Sequence, residues 1–148
     1  MIAVLEIEQA SFGSEAYPES LFRLYAADRR TLFLLAETGE QVIGYIIARR
    51  DRWGAEIVSL AVHPSSRHRG IGRRLLAAAV GRMRRRKAQS IRLMVHVKNT
   101  GAARFYRSLG FRSTARVPGY YEDGGTGIRM RLPLTRAQSR KPRRTAHE

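Results

Sequence analysis

The run VHPSSRHRGIGRRLL, Val62 to Leu76, joins a hydrophobic stretch to an amphipathic one and decides how the chain is read. Upstream, AEIVSLAV (Ala55 to Val62) is apolar and β-branched, so Trp53 to Val62 reads as a strand. Pro64-Ser65-Ser66 ends it, because proline cannot continue the ladder. From Gly70 to Lys87, Leu75, Leu76, Ala79, Val80 and Met83 recur at helical spacing and predict a helix with one buried face. Ser90 to Val97 then alternates as a second strand. A strand, a crossover helix and a strand make a βαβ unit, so these two strands should be parallel neighbours.

Working outward, Met1 to about Phe12 reads as a helix, with Ile2, Leu5 and Gln9 on one stripe. Pro18 to about Ala27 reads as another, its apolar positions Leu21, Leu24 and Tyr25. Thr31 to Ala36 and Gln41 to Arg49 form a hairpin around Thr38-Gly39-Glu40. Asn99 is a suitable N-cap for a helix from Thr100 to Leu109, and Gly110 a suitable C-cap. Phe111 to Val117 and Thr126 to Leu134 complete six strands. The expected fold is α/β (α+β): a mixed, mostly antiparallel sheet with a central parallel pair, flanked by helices. Residues 1–134 should form one domain, followed by a basic, disordered tail over 135–148.

Composition bounds what such a domain can do. At 148 residues and 43% hydrophobic, the chain is long enough for a real core and too apolar for global disorder. The absence of cysteine removes disulfides, thiolate metal sites and thiol nucleophiles. No apolar run is long enough for a membrane span, and the N-terminus has no basic, signal-like region, so a cytoplasmic location is expected. Net charge is +16, which attracts polyanions. The charge is blocked: Arg82, Arg84, Arg85, Arg86 and Lys87 form one cluster, and Arg136, Arg140, Lys141, Arg143 and Arg144 another.

In the opening stretch, Arg67-x-x-Gly70-x-Gly72 lies between a strand and a helix. Glycines let backbone N–H groups approach a ligand, and a helix N-terminus adds unpaired donors and a positive dipole end. Together they suit a pyrophosphate. The dinucleotide fingerprint needs a third glycine, and a P-loop needs Gly-Lys-Ser/Thr. A basic patch for nucleic acid and an ordinary solvated loop are the other readings of the same residues.

The next strand-to-helix junction separates these readings. NTGAARFYRSLGF, Asn99 to Phe111, has the pattern Asn…Ala102…Tyr106…Gly110-Phe111. Taken with RHRGIG, it resembles the GNAT superfamily of acetyl-CoA-dependent N-acetyltransferases, and within it the N-terminal-amine branch that includes the ribosomal-protein-alanine enzymes. The resemblance covers about Phe33 to Leu134. It implies acetyl-CoA as cosubstrate and no metal. The pyrophosphate would lie on the backbone of Arg67, His68, Arg69, Gly70, Ile71 and Gly72. Leu60, Ala61 and Val62 would pair with the pantetheine arm like an added strand, and a strand N–H near Leu60 or Ala61 would hold the developing oxyanion. Asn99 would contact the cofactor. Tyr106 would lie near the sulfur and return a proton to the departing thiolate.

The resemblance also implies a base, since the attacking amine must be neutral. An α-amine, with pKa about 7.7 to 8.0, is partly neutral at cellular pH, and a lysine near 10.4 is not. The ribosomal-protein branch carries a Glu five residues before the Asn. That position here is Met94, which cannot take a proton. Two substitutes remain: Glu56, whose strand resembles that of the histone lysine acetyltransferases, and His96, two residues after Met94. Glu56 is the expected catalytic partner of Tyr106, with His96 or water the other readings of the base. Gly119-Tyr120-Tyr121-Glu122-Asp123 matches a loop that helps bind the acceptor peptide in this branch, so Tyr120 and Tyr121 are expected there, with Ser11 to Arg30 also bordering the acceptor.

The family begins with a strand before its first helix, and here the first residues already read as helix. An uncovered sheet edge is therefore expected, beside a mobile N-terminus or under a partner chain such as a second copy in a homodimer. Two further readings stand beside the enzyme: a non-specific nucleic-acid or ribosome-binding protein acting through its arginine blocks, and a CoA-binding fold without catalysis.

Overall fold

A computed structural model describes residues 1–13 and 16–135; the tail expected from Arg136 onward lies outside the described residues. The elements run α1 (Ile2–Phe12), α2 (Glu19–Ala27), β1 (Thr31–Thr38), β2 (Gln41–Asp51), β3 (Gly54–Val62), α3 (Ile71–Arg85), β4 (Ser90–His96), α4 (Thr100–Ser108), β5 (Arg112–Val117) and β6 (Gly127–Pro133), with a short 3-10 turn at Pro64–Ser66. The six strands form one sheet in the order β1-β2-β3-β4-β6-β5. All neighbours are antiparallel except β3 and β4, the parallel pair expected from the βαβ reading.

The sheet carries a hydrophobic layer on each face. On one, α3 and α4 cover Leu32, Ile46, Ala48, Ile57, Ile91 and Leu93, with Leu76, Ala79 and Met83 buried from α3 and Ala103 and Tyr106 from α4. On the other, Val4 and Ile7 of α1 and Phe22 of α2 cover Tyr45, Ile47 and Ala61. Central strand β2 is buried on both faces, which its run Tyr45-Ile46-Ile47-Ala48 anticipates. Phe22 meets Tyr45 edge-on with ring centres 5.9 Å apart, a geometry that adds about 1 kcal/mol beyond area burial.

The two N-terminal helices bury other residues than their sequence stripes suggest. In α1 the inner face is Val4, Ile7 and Glu8, while Ile2 is 75% exposed and Gln9 faces solvent. In α2 it is Phe22, while Leu24 is 69% exposed. Both helices lie on a sheet face whose aromatic residues, Phe33 and Tyr45, select the aromatic Phe22 as partner. α1 thus packs on the sheet through Val4 and Ile7, and the uncovered edge falls on β1, where Leu35 is exposed.

Two irregularities shape the centre. First, Ile47 pairs with Ser59 but Ala48 with Ile57, so Val58 is an extra residue in β3. This bulge puts Val58 and Ser59 on the α1 face in succession and bends the strand. Second, β3 and β4 pair only at Ala55↔Ile91 and Glu56↔Arg92. Beyond those residues they separate. On its other side β4 stays paired to β6 along its whole length, and β3 to β2. At the closed end, Arg92 holds both Asp51 and Glu56, the latter at 3.2 Å. Burial opposes ionisation of Asp51, but the Arg92 guanidinium and the Trp53 and Gly54 N–H groups together hold the carboxyl below its ordinary range.

Candidate active site

The divergence of β3 from β4 leaves a cavity of about 500 Å³ that passes through the sheet. Its walls are Ile57, Val58, Ser59 and Leu60 of β3 and Leu93, Met94, Val95 and His96 of β4. Asn99, Ala102 and Tyr106 enter from α4 on one face. Glu8 and Phe12 of α1, Tyr17 and Pro18 before α2, and Tyr120, Tyr121 and Glu122 enter from the other. With β4 gone from its side, β3 presents an unshared strand edge to this space.

Tyr106 is 9% exposed, held edge-on by Phe105 and Phe111. Its hydroxyl makes no hydrogen bond to the protein among the described residues, and burial pushes its pKa well up. A tyrosine of this kind stays protonated and keeps its donor for whatever fills the cavity. Asn99 caps α4, its Oδ1 accepting the Ala102 N–H at 3.1 Å, as the sequence predicts.

At the start of α3, the loop follows an unusual path. His68 (φ 65°) and Gly70 (φ 77°) both adopt left-handed backbone, and Gly70 is the N-cap. Such alternation turns successive N–H groups to one side, making a concavity suited to anions. A side chain at Gly70 would meet no other atoms, so glycine is required there by the backbone angle alone. The Arg67 side chain is already engaged: Nε donates to the Val62 carbonyl and Nη2 to Ser11 Oγ, each at 3.1 Å. Arg67 therefore braces the strand end against α1. His68 and Arg69 are exposed, Ile71 packs on the core, and a side chain placed at Gly72 would meet the Phe105 ring at 3.6 Å.

The expected base positions are occupied differently. Glu56 is not part of the cavity wall: its side chain is 47% exposed and its Oε2 lies on Arg92. Glu56, the expected catalytic partner of Tyr106, therefore stands beside the cavity, where its charge acts on Tyr17 of the wall. The Ala61 and Val62 side chains turn into the two hydrophobic layers, and Leu60 is the member of that trio in the cavity wall. His96 does line the cavity, but both ring nitrogens are in use. Nδ1 accepts the Lys98 N–H at 3.1 Å, so Nε2 carries the proton and donates to Asp123 at 3.0 Å. The His96 ring stacks on Tyr121 with centres 4.7 Å apart, and Tyr121 meets Tyr120 edge-on. Gly125 lies so close to the His96 ring that any side chain there would collide with it. The Gly125 N–H and then His96 hold the Asp123 carboxyl below its ordinary range. His96 thus anchors the loop that carries the two tyrosines.

Sequence reading missed the contribution of α1. Glu8 is 1% exposed, at the cavity floor. It accepts from Ser59 Oγ at 3.0 Å, from the Tyr17 N–H at 2.9 Å and, closely, from the Tyr45 hydroxyl. Tyr17 lines the cavity above it, its pKa raised to about 12 by burial and then by neighbouring Tyr120, Tyr25 and Glu8. The available signal was the spacing of Val4, Ile7, Glu8 and Ser11, an inner face that includes an acid.

A mixed sheet split at its one parallel pair, with left-handed turns opening the next helix, is the architecture of an acyltransferase fold. The chain belongs to the acetyltransferase (GNAT) family, whose model matches residues 1–111. It is 37% identical over 129 residues to an uncharacterized N-acetyltransferase of Methanocaldococcus jannaschii, covering 86% of this chain and 82% of that one. It is 32% identical over 134 residues to an N-alpha-acetyltransferase of Sulfurisphaera tokodaii, covering 81% and 80%. Among solved structures, Ard1 from Thermoplasma volcanium superposes with a TM-score of 0.85 at 30% identity over 90% of each chain. The NatC complex bound to Gag peptide and CoA gives 0.78 at 26% identity, again over 90% of each chain. The protein is an acyltransferase of this family, and no helix among the described residues is long and apolar enough to cross a membrane.

Proposed function

We propose that this enzyme acetylates the α-amine of protein or peptide N-termini in the cytoplasm, using acetyl-CoA in a direct transfer. The observation that carries the reading is the cavity through the sheet, with the α4 N-terminus on one face and tyrosine-rich loops on the other. A donor and an acceptor can approach from opposite faces and meet beside Tyr106. The relatives named N-alpha-acetyltransferase support the acceptor class, and the CoA-bound NatC complex supports the donor.

The residues present fit acetyl-CoA. The unshared β3 edge at Leu60 offers backbone groups to an amide-bearing arm. The turned N–H groups from Arg67 to Gly72 suit its pyrophosphate. The Asn99 side-chain amide, whose oxygen caps α4, keeps its N–H donors free for the same ligand. Acetyl-CoA supplies an acyl group activated as a thioester, and its thiol departs. Tyr106 Oη holds the proton that the departing thiolate takes. Tyr120 and Tyr121 hold the acceptor backbone, with His96 and Asp123 fixing their loop. Glu56 lies outside the cavity wall with its Oε2 on Arg92, and His96 is bonded at both nitrogens. The amine proton therefore leaves to water, which an α-amine near pKa 8 tolerates and a lysine does not.

A thiol-release assay with N-terminal peptides, internal-lysine peptides and small amines tests this reading. N-terminal peptides should turn over, and their N-acetylated counterparts should not. Turnover restricted to lysine side chains or small amines would overturn it.

A further inference from the structure

The cavity has a charge opposite to that of the chain. In a protein of net charge +16, its lining among the described residues contains two carboxylates, Glu8 and Glu122, and neither arginine nor lysine. Glu122 is exposed at the rim, whereas Glu8 is buried in the floor. No Lys or Arg among the described residues pairs with Glu8. Arg67 reaches α1 at Ser11 instead. The groups on Glu8 are neutral: Tyr45 and Ser59 hydroxyls on Oε1 and the Tyr17 N–H on Oε2. They solvate a carboxylate without cancelling its charge.

We propose that Glu8 is the specificity-determining residue for a cationic acceptor: its uncompensated charge draws the α-ammonium of the N-terminus to the cavity floor beside Ser59. This rests on the N-terminal acetylation reading and deepens it. Three features favour the role. A charge at a buried site is screened far less than one at the rim. The same carboxylate ties α1, β2, β3 and the Tyr17 segment, so its position is fixed. It also grips Ser59, the residue next to the Val58 bulge, where β3 turns two successive side chains to the acceptor face. Glu8 acts through charge and through the residues it holds, so it is a positioning residue and not a proton acceptor in the reaction.

The test is equilibrium binding in the presence of CoA, which permits no transfer. A peptide found to turn over is compared with its desamino analogue, identical but lacking the α-amine, at pH 6.5, where the amine is charged. The unaltered enzyme should bind the amine form about tenfold or more tightly, in line with the cost of unpairing a buried charge. Glu8→Gln should bring that ratio towards one with the KM for acetyl-CoA unchanged. Ser59→Ala and Tyr45→Phe, which remove donors but keep the charge, should retain the preference. A ratio of one in the unaltered enzyme overturns the proposal, as does a ratio that survives Glu8→Gln. Should Glu8→Gln fail to fold, Glu122→Gln decides: a preference that survives it supports Glu8, and one that disappears overturns it. If no N-terminal peptide turns over at all, the functional reading itself fails; a peptide that turns over without an ammonium preference sinks only the Glu8 assignment.

Discussion

The two faces of the cavity are built by different means. On the α3 and α4 face, the backbone does most of the work: left-handed turns at His68 and Gly70, a helix start, and an open strand edge. On the α1 and α2 face, side chains do it: Glu8 beneath, Tyr17 and Tyr120 around the opening, and Tyr121 stacked on His96. A backbone-built site depends on glycine and on helix geometry, so it tolerates almost any side chain around it. A side-chain-built site depends on which residues distant segments bring together. The first kind holds a ligand common to many proteins, and the second is free to vary with the acceptor.

Substitutions can break this contrast, beginning with the group that sits between the faces. Tyr106→Phe should lower kcat by about a hundredfold, the usual scale for losing a proton donor, with CoA affinity nearly unchanged by calorimetry. The sign of the pH dependence follows from burial. Because the Tyr106 pKa is raised, its proton stays in place across the working range, so kcat/KM should rise through the α-amine pKa near 8 and show no fall up to about pH 10. A descending limb near pH 9 would remove Tyr106 from that role. Next in size, Gly70→Val should raise the KM for acetyl-CoA about tenfold, since a β-branched residue resists φ 77°, while acceptor binding is spared. The smallest effect should come from Arg67→Ala. Its guanidinium is spent on Val62 and Ser11, so the KM for acetyl-CoA should change by no more than about threefold, the reach of an exposed charge. A large loss there would mean that side-chain charge, and not the backbone, holds the pyrophosphate.

The same contrast explains what the sequence disclosed. The βαβ unit, the Asn99 cap and the glycine loop are local, written in periodicity and in residues with special backbone preferences, and they lie where they were expected. The buried face of α1 was only weakly marked, by the spacing of Val4, Ile7, Glu8 and Ser11. Its apolar residues, Ile2, Ala3, Val4, Leu5 and Ile7, lie all around the helix, and the side that turns inward includes an acid. Only Tyr45 and Ser59, far along the chain, make Glu8 an inside residue. The surroundings of Glu56 were hidden for the converse reason: its place along β3 was legible, but the partner on its carboxylate, Arg92, belongs to the neighbouring strand. Pairing within an element can be read from its own residues, whereas the fate of a charge depends on its neighbours across the sheet.

The extra residue at Val58 works like a frameshift within β3. Before it, odd-numbered residues face α3; after it, they face α1. Drawing Val58 into regular pairing, with every residue kept, would make the ladder more regular and the protein worse. To keep Ser59 and Ala61 where they are, the first half of the strand would turn over, carrying Glu56 into the oily layer under α3 and pulling Ile57 out of it. The two halves of β3 therefore gain their proper faces from a single departure from alternation.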